Sequence, residues 1–190
     1  SRDEGAEGKQ VDYLPLYAQD EAGYDNLCHL VSKAHLERPL EFEPHVRIGD
    51  LDGRTDGLIA FTGASEGAVT RLLAEGQQSH AEALLDRLQA LFPDRLYIEL
   101  ARRGDPVEER AEAALVDLAY ARDLPLVATN PANFAEPHMH KAHDAMLCIA
   151  GSTHVDAEER ARSNPESYVK TYHMMEEAFA DLPEAVQNTV

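Results

Sequence analysis

The stretch Leu124-Pro125-Leu126-Val127-Ala128-Thr129-Asn130 restricts the fold of this chain more than any other. It is a short apolar run carrying Val and Thr, bounded by Asp123 and by Pro131-Ala132-Asn133-Phe134, and it directly follows a segment with helical periodicity. Uninterrupted apolar runs of this length are typical of strands covered on both faces, and such strands belong to parallel sheets. The residues just past its C-terminal end, Thr129, Asn130, Pro131 and Asn133, therefore lie where α/β folds place their sites.

The rest of the chain alternates in the same way. Strands are expected at Leu14-Pro15-Leu16-Tyr17-Ala18, at Leu58-Ile59-Ala60-Phe61-Thr62 and at Leu96-Tyr97-Ile98-Glu99-Leu100. Asp20 caps a helix running to about Lys33, with Tyr24, Leu27, Cys28, Leu30 and Val31 as its apolar face. Further helices are expected at 65–74, ended by Gly76, and at 79–92, with Ala83, Leu84, Leu88 and Leu91 inward and Pro93 as the stop. Asp105-Pro106-Val107-Glu108 opens the clearest helix, with an acidic cap, Pro at its first position and Glu three residues after the cap. Its inner stripe is Val107, Ala111, Ala114, Leu115 and Leu118, leaving Glu108, Glu109, Glu112 and Asp117 in water. Helices at 139–150, 172–179 and from Leu182 onward complete the chain, around a polar connection at 151–166 and an extended piece at Tyr168-Val169. A Pro- and charge-rich connection at 38–56 holds at most a helical turn, at Ile48-Gly49-Asp50-Leu51. Strands each followed by a helix define an α/β fold with parallel pairing. Residues 1–10 read as a linker or frayed end, and residues 11–190 as a single domain.

With 35 acidic against 17 basic residues, the net charge of −18 opposes a surface that neutralises phosphates, and no strong direct contact with DNA is expected. No run is long enough to span a membrane and the first residues lack the order of a signal peptide, so a cytoplasmic protein is expected. Cys28 and Cys148 each sit in an apolar, helix-like run and are expected to be buried free thiols.

Few residues offer chemistry. Thr62-Gly63-Ala64-Ser65-Glu66-Gly67 has spaced glycines but no following Lys, and Glu66 would repel phosphate, so it reads as a structural turn with Gly63 needed at the strand exit. Ser65 lacks a His or acid at nucleophile-triad spacing. His138, His140 and His143 have metal-like spacing beyond the organising strand, with His140 and His143 on one helical face and Glu136 or Asp144 as possible further ligands. The plainer reading of the three is ordinary surface histidines. Glu99 faces the side of its strand opposite Ile98 and Leu100. It is either a ligand or base, or a carboxylate satisfied by Arg102, Arg103 or solvent.

These stretches together resemble the PHP (polymerase and histidinol phosphatase) domain of the bacterial DNA polymerase III alpha subunit, over nearly the whole chain. The resemblance rests on Tyr17 to Leu27, Gly57-Leu58-Ile59-Ala60-Phe61-Thr62-Gly63, Leu96 to Leu100, Leu124 to Asn130, Ala142-His143-Asp144 and Phe179 to Thr189. It implies a distorted (β/α)7-type barrel of about seven parallel strands, present here as an incomplete segment that lacks the opening strand with its His-x-His pair. It also implies a metal cluster in some members, and here the pattern departs. Metal-binding members read Ala-Thr-Asn-Asp-x-His after the organising strand, where this chain has Pro131 and Asn133, and Ala64 stands where Cys is frequent. The resemblance thus implies a degenerate site with no metal or other cofactor in this segment and no catalytic residue of its own. His143 becomes a packing and hydrogen-bonding residue. Mg²⁺-dependent nucleotidyl transfer would belong to a polymerase domain beyond Val190. The implied partners are the polymerase core of the same chain and the proofreading exonuclease subunit. The rival is a residual phosphoesterase holding Zn²⁺ or Mn²⁺ through His138, His140 or His143 with Glu99. A segment cut from a larger barrel is also expected to expose sheet edges and to self-associate.

Overall fold

Four strands, β1 (Leu16–Ala18), β2 (Leu58–Phe61), β3 (Leu96–Leu100) and β4 (Leu126–Ala128), form one mixed sheet in that order. The helices are α1 (Glu21–Leu36), α2 (Ala68–Ala74), α3 (Gln78–Leu91), α4 (Pro106–Ala121), α5 (His140–Ala150), α6 (Tyr172–Ala178) and α7 (Pro183–Gln187). The computed structural model describes residues 11–37 and 44–189. The expected linker at 1–10 and part of the 38–56 connection lie outside the described residues. The expected turn at Ile48–Leu51 is present as a 3₁₀ turn. By internal contacts the chain divides into two units, Ser1–Ile98 and Glu99–Val190, with β3 running across the boundary.

In the first unit β2 and β3 pair in parallel, with Ala60 opposite Leu96 and Phe61 opposite Tyr97. β1, expected to be parallel, instead runs antiparallel to β2, with Leu16 opposite Ala60 and Ala18 opposite Leu58. The reason is exposure. Parallel strands need cover on both faces, whereas Tyr17 and Ala18 are open to solvent, which an antiparallel edge strand tolerates. Tyr17, Phe61 and Tyr97 form an aromatic row across the three strands, with ring centroids 4.9 and 5.6 Å apart, while Leu58 and Ala60 are fully buried on the other face.

α1 begins where expected, with the Asp20 carboxylate accepting the Gly23 N–H at 2.9 Å. The face it buries differs from the expected one: Gly23 and Leu30 are inside, while Tyr24 (63% exposed), Val31 (56%) and Cys28 are outside. The thiol of Cys28 is therefore exposed, and only Cys148 is buried. The cause is a close approach at Gly23, where a Cβ would lie 1.9 Å from the Gly57 carbonyl oxygen. The helix sits down on its smallest residue, a choice that ranking side chains by size cannot anticipate. α2 packs on α3, and the link between them closes with Gly76 at φ 74° and the Gln77 N–H bonded to the Leu72 carbonyl. The inner stripe of α3 is Ala81, Leu85, Leu88 and Leu91; Leu88 and Leu91 are buried as expected, whereas the expected Ala83 is exposed and Leu84 only half-buried.

In the second unit β4 is buried throughout, as a strand covered on both faces must be, and its neighbour Thr129 donates its N–H to the Leu100 carbonyl at 2.9 Å. It is shorter than the apolar run that predicts it. α4 starts at the expected cap, with Asp105 accepting the Val107 N–H at 2.8 Å. Ala111, Leu115 and Leu118 are buried as expected; Val107 and Ala114 are only half-buried. Glu108, expected in water, is 5% exposed and bound to Arg103. α7 packs against β4, where Asn188 donates to the Leu126 carbonyl at 2.8 Å. Phe179, 1% exposed, lies under the Arg102 guanidinium at 4.5 Å from the ring centroid. Arg102 also reaches Glu112 and Asp181, at 2.6 Å each.

Candidate functional site

The sequence places the candidate chemistry past the end of β4, and the second unit brings most of those residues together. Glu99, 7% exposed, accepts the Thr129 hydroxyl at 2.6 Å. The Asn130 side-chain oxygen accepts the Lys170 N–H at 2.8 Å. The Asn133 and Phe134 N–H groups both donate to the Ser167 carbonyl, at 2.8 and 3.3 Å, and the Val169 N–H returns to the Phe134 carbonyl at 3.1 Å. Phe134 and Tyr168 make a parallel bridge. The extended piece expected at Tyr168-Val169 is thus laid along the segment that carries Pro131 and Asn133.

This segment, 151–171, contains no helix or strand, and α5 fastens it. Asp144 accepts both Arg160 terminal nitrogens, at 2.8 and 2.7 Å, and the Ser163 N–H at 3.0 Å. His140 Nε2 lies 3.0 Å from the Ser163 carbonyl oxygen, so that nitrogen carries the proton and donates. His143 Nδ1 lies 2.8 Å from Ser163 Oγ. Both rings lean on Phe134, with centroids 6.1 and 5.5 Å from its own. Asn164 ties the same segment to the Arg103 carbonyl at 3.1 Å. Ser167 is fully buried, and among the described residues its hydroxyl finds no hydrogen-bond partner.

The Arg160 hydrogen bonds, then the Ser163 N–H, hold the Asp144 carboxyl well below the usual carboxylate range. The folded value is below the unfolded value of about 3.9, so this contribution to stability is complete above about pH 5 and is lost as the pH falls below about 4. Asp144→Asn is therefore expected to melt below the wild type at pH 7. The gap should narrow steadily as the pH is lowered from about 5 to about 2, in thermal melts of both proteins side by side. A gap that stays constant over that range would refute the clasp's electrostatic character.

The metal-like histidines separate. His140 and His143 share a face, as expected, and converge on Ser163, whereas His138 is exposed and paired with Glu136 at 3.0 Å. Asp144, the other suggested ligand, is taken up by Arg160. Ala64 belongs to the first unit, where it is buried. Among the described residues no group of three or more His, Cys, Asp or Glu side chains is arranged to hold a metal ion. Arg160, Ser163, Asn164 and Lys170 were not singled out from the sequence, because an irregular polar stretch has no periodicity to reveal its inward side chains.

The Thr62 to Gly67 loop is the tight turn expected of it. Gly63 has φ 75°, and a Cβ on Gly67 would lie 1.9 Å from the Gly63 carbonyl oxygen.

A mixed sheet interleaved with helices, with a polar cluster past the end of β4, is an α/β arrangement consistent with a partial PHP fold. The chain belongs to the PHP domain family, whose model matches residues 5–103. Similar curated proteins are the DNA polymerase III subunit alpha of Caulobacter vibrioides, 44% identical over 93% of this chain, and that of Escherichia coli, 35% identical over 96%. The same subunit of Rickettsia prowazekii is 35% identical over 92%. The chain spans 16%, 16% and 15% of the length of these three relatives.

Proposed function

We propose that this chain is a segment of a DNA polymerase III alpha subunit, in which the PHP fold has a degenerate metal site and acts as a structural and subunit-docking element. The observation that carries this reading is a pairing. Alpha subunits match 92–96% of the chain at 35–44% identity, and the resemblance implies that Ala64, Pro131 and Asn133 occupy positions where metal-binding members place ligands. Ala and Pro offer no side-chain donor, and a neutral amide is a poor substitute for imidazole. The donors that remain nearby are engaged within the chain: Asn130 with Lys170, Asp144 with Arg160, and His140 and His143 with Ser163. Among the described residues, no group of His, Cys, Asp or Glu side chains fits a metal cluster.

On this reading the segment alone is inactive. DNA-directed DNA polymerisation, with its Mg²⁺, is the work of the polymerase domain of the longer protein, and the partners are that polymerase core and the proofreading exonuclease subunit. The net charge of −18 sets this segment apart from the surfaces that hold DNA. Localisation is cytoplasmic, in keeping with the finding that, among the described residues, no helix is long and apolar enough to cross a membrane.

A second reading, a residual metal-dependent phosphoesterase of the 3′-5′ exonuclease or phosphatase type, draws on the shared face of His140 and His143 and on buried Glu99. Elemental analysis separates the two. Tag-free protein expressed with Zn, Mn and Fe and then dialysed is expected to hold well under about 0.1 metal per chain. Metal near one equivalent that disappears in His140→Ala/His143→Ala would overturn the degenerate-site reading in favour of the phosphoesterase.

A further inference from the structure

α5 is amphipathic the wrong way round. Its polar residues point into the second unit: His140 and His143 reach Ser163, and Asp144 holds Arg160. Cys148 is buried on the same helix. Its apolar residues point out. Ile149 is 78% exposed and Met146 64%, Ala142 and Ala150 are exposed, and Met139 is exposed just before the first turn. At about 100° per residue, Ala142, Met146, Ile149 and Ala150 fall within a stripe about 100° wide. Lys141 is the only charged residue exposed on this helix, in a chain whose net charge is −18. A solvated helix face carries charge, and a bare apolar stripe marks a surface that is covered in use.

We propose that this stripe is where the segment seats against the polymerase part of its own polypeptide, an inference that rests on the alpha-subunit reading above. Size and chain length together choose the occupant. α5 has 11 residues, so it is about 16 Å long and about 10 Å across, and its stripe offers a few hundred Å². A separate protein, whether a second copy or another subunit, needs about 800 Å² per partner to stay bound. A surface on the same polypeptide does not, because the covalent connection holds it at an effective concentration on the order of mM. There is ample chain to supply one. This segment spans only 14–16% of the length of the curated alpha subunits, which match 92–96% of it. Charge sets what the seat looks like. Lys141 stands exposed in the first turn, and the last turn has no basic residue and is followed by exposed Asp156, Glu158 and Glu159. The seat is therefore apolar along the stripe, with a carboxylate facing Lys141 and basic residues facing the helix C-terminus and the acids beyond it.

Photo-cross-linking of the full-length subunit carrying Met146→p-benzoylphenylalanine, with the captured peptides identified by mass spectrometry, tests it. Cross-links are expected to peptides in the polymerase part of the same molecule, with no product at twice the mass. Adding Ile149→Glu should lower their yield by about tenfold, because a carboxylate is costly to bury in an apolar contact. Circular dichroism should not change, since that side chain is already open to solvent in the segment itself. Cross-links confined to residues 1–190, to a second copy, or to the exonuclease subunit once it is added overturn the inference. A probe that captures no peptide, or a yield indifferent to Ile149→Glu, overturns it as well. The length of the native polypeptide tests the alpha-subunit reading separately. A native chain without a polymerase part overturns that reading and this inference together, whereas a polymerase in which the probe at position 146 fails overturns this inference alone.

Discussion

Gly67→Ala is expected to cost about 3 kcal/mol or more of stability, a large fraction of what holds a domain of this size together. The Cβ it adds would lie 1.9 Å from the Gly63 carbonyl oxygen and 2.0 Å from that of Thr62. Both contacts are backbone, so no side chain can swing aside. The loop cannot yield easily either. Gly63 is held at φ 75°, where a Cβ would lie 2.5 Å from the Tyr13 carbonyl oxygen, and its carbonyl also accepts the Thr70 hydroxyl at 3.3 Å. Gly67 in turn starts α2, its carbonyl accepting the Arg71 N–H at 3.0 Å. Relief would require moving the start of a helix away from the end of β2. Gly49 is the control, since a Cβ there meets nothing within 4 Å, and Gly49→Ala is expected to change stability by less than about 1 kcal/mol in either direction. Urea unfolding of the three proteins decides the matter. A Gly67→Ala midpoint within the range of the Gly49 variant would mean the loop relaxes freely and that the tight-turn account is wrong.

The same loop shows where the sequence is a good guide. Gly63, read as the residue needed at a strand exit, occupies a conformation that side chains resist. β3 matches its predicted bounds because Pro93 ends the preceding helix and an apolar run follows at once. The start of α4 is legible for a similar reason: Asp105, Pro106 and the first turn are local chemistry. What fails is whatever depends on a distant residue. The seating of α1 is decided by Gly57 pressing on Gly23. β1 runs antiparallel because it lies at an open edge, and edges are a property of the assembled sheet. At the candidate site, the His140 and His143 pairing on one face is legible from helical spacing. Their shared target, Ser163, is not, because nothing in the 151–171 stretch marks it as facing inward.

Glu108 is the sharpest instance, and it sets the second large expectation: Arg103→Met should cost about 3 kcal/mol at neutral pH. By periodicity and charge Glu108 belongs on the wet side of α4. In the folded chain it is 5% exposed, and Arg103, with 13% of its side chain exposed, donates to it at 2.6 and 3.2 Å. The Arg103 N–H adds a longer contact at 3.4 Å, so the carboxylate bridges the end of the β3 exit and the first turn of α4. Removing the guanidinium leaves a buried carboxylate facing the α4 N-terminus with only backbone donors, and a severed buried pair costs more than the pair contributed. Methionine keeps the length of the side chain and isolates the loss of charge from the loss of packing. The Asn164 bond to the Arg103 carbonyl is untouched by the substitution, so the 151–171 segment keeps that anchor. Glu108→Gln alone should cost less, because an amide in the same place is cheaper to bury than a charge. The double variant is expected to recover about 2 kcal/mol relative to the sum of the two single losses, read as the coupling in a double-mutant cycle by urea unfolding at pH 7. A coupling below about 0.5 kcal/mol would show that the two side chains are solvated independently. Glu108 would then belong, after all, to the wet face that its position in the helix predicts.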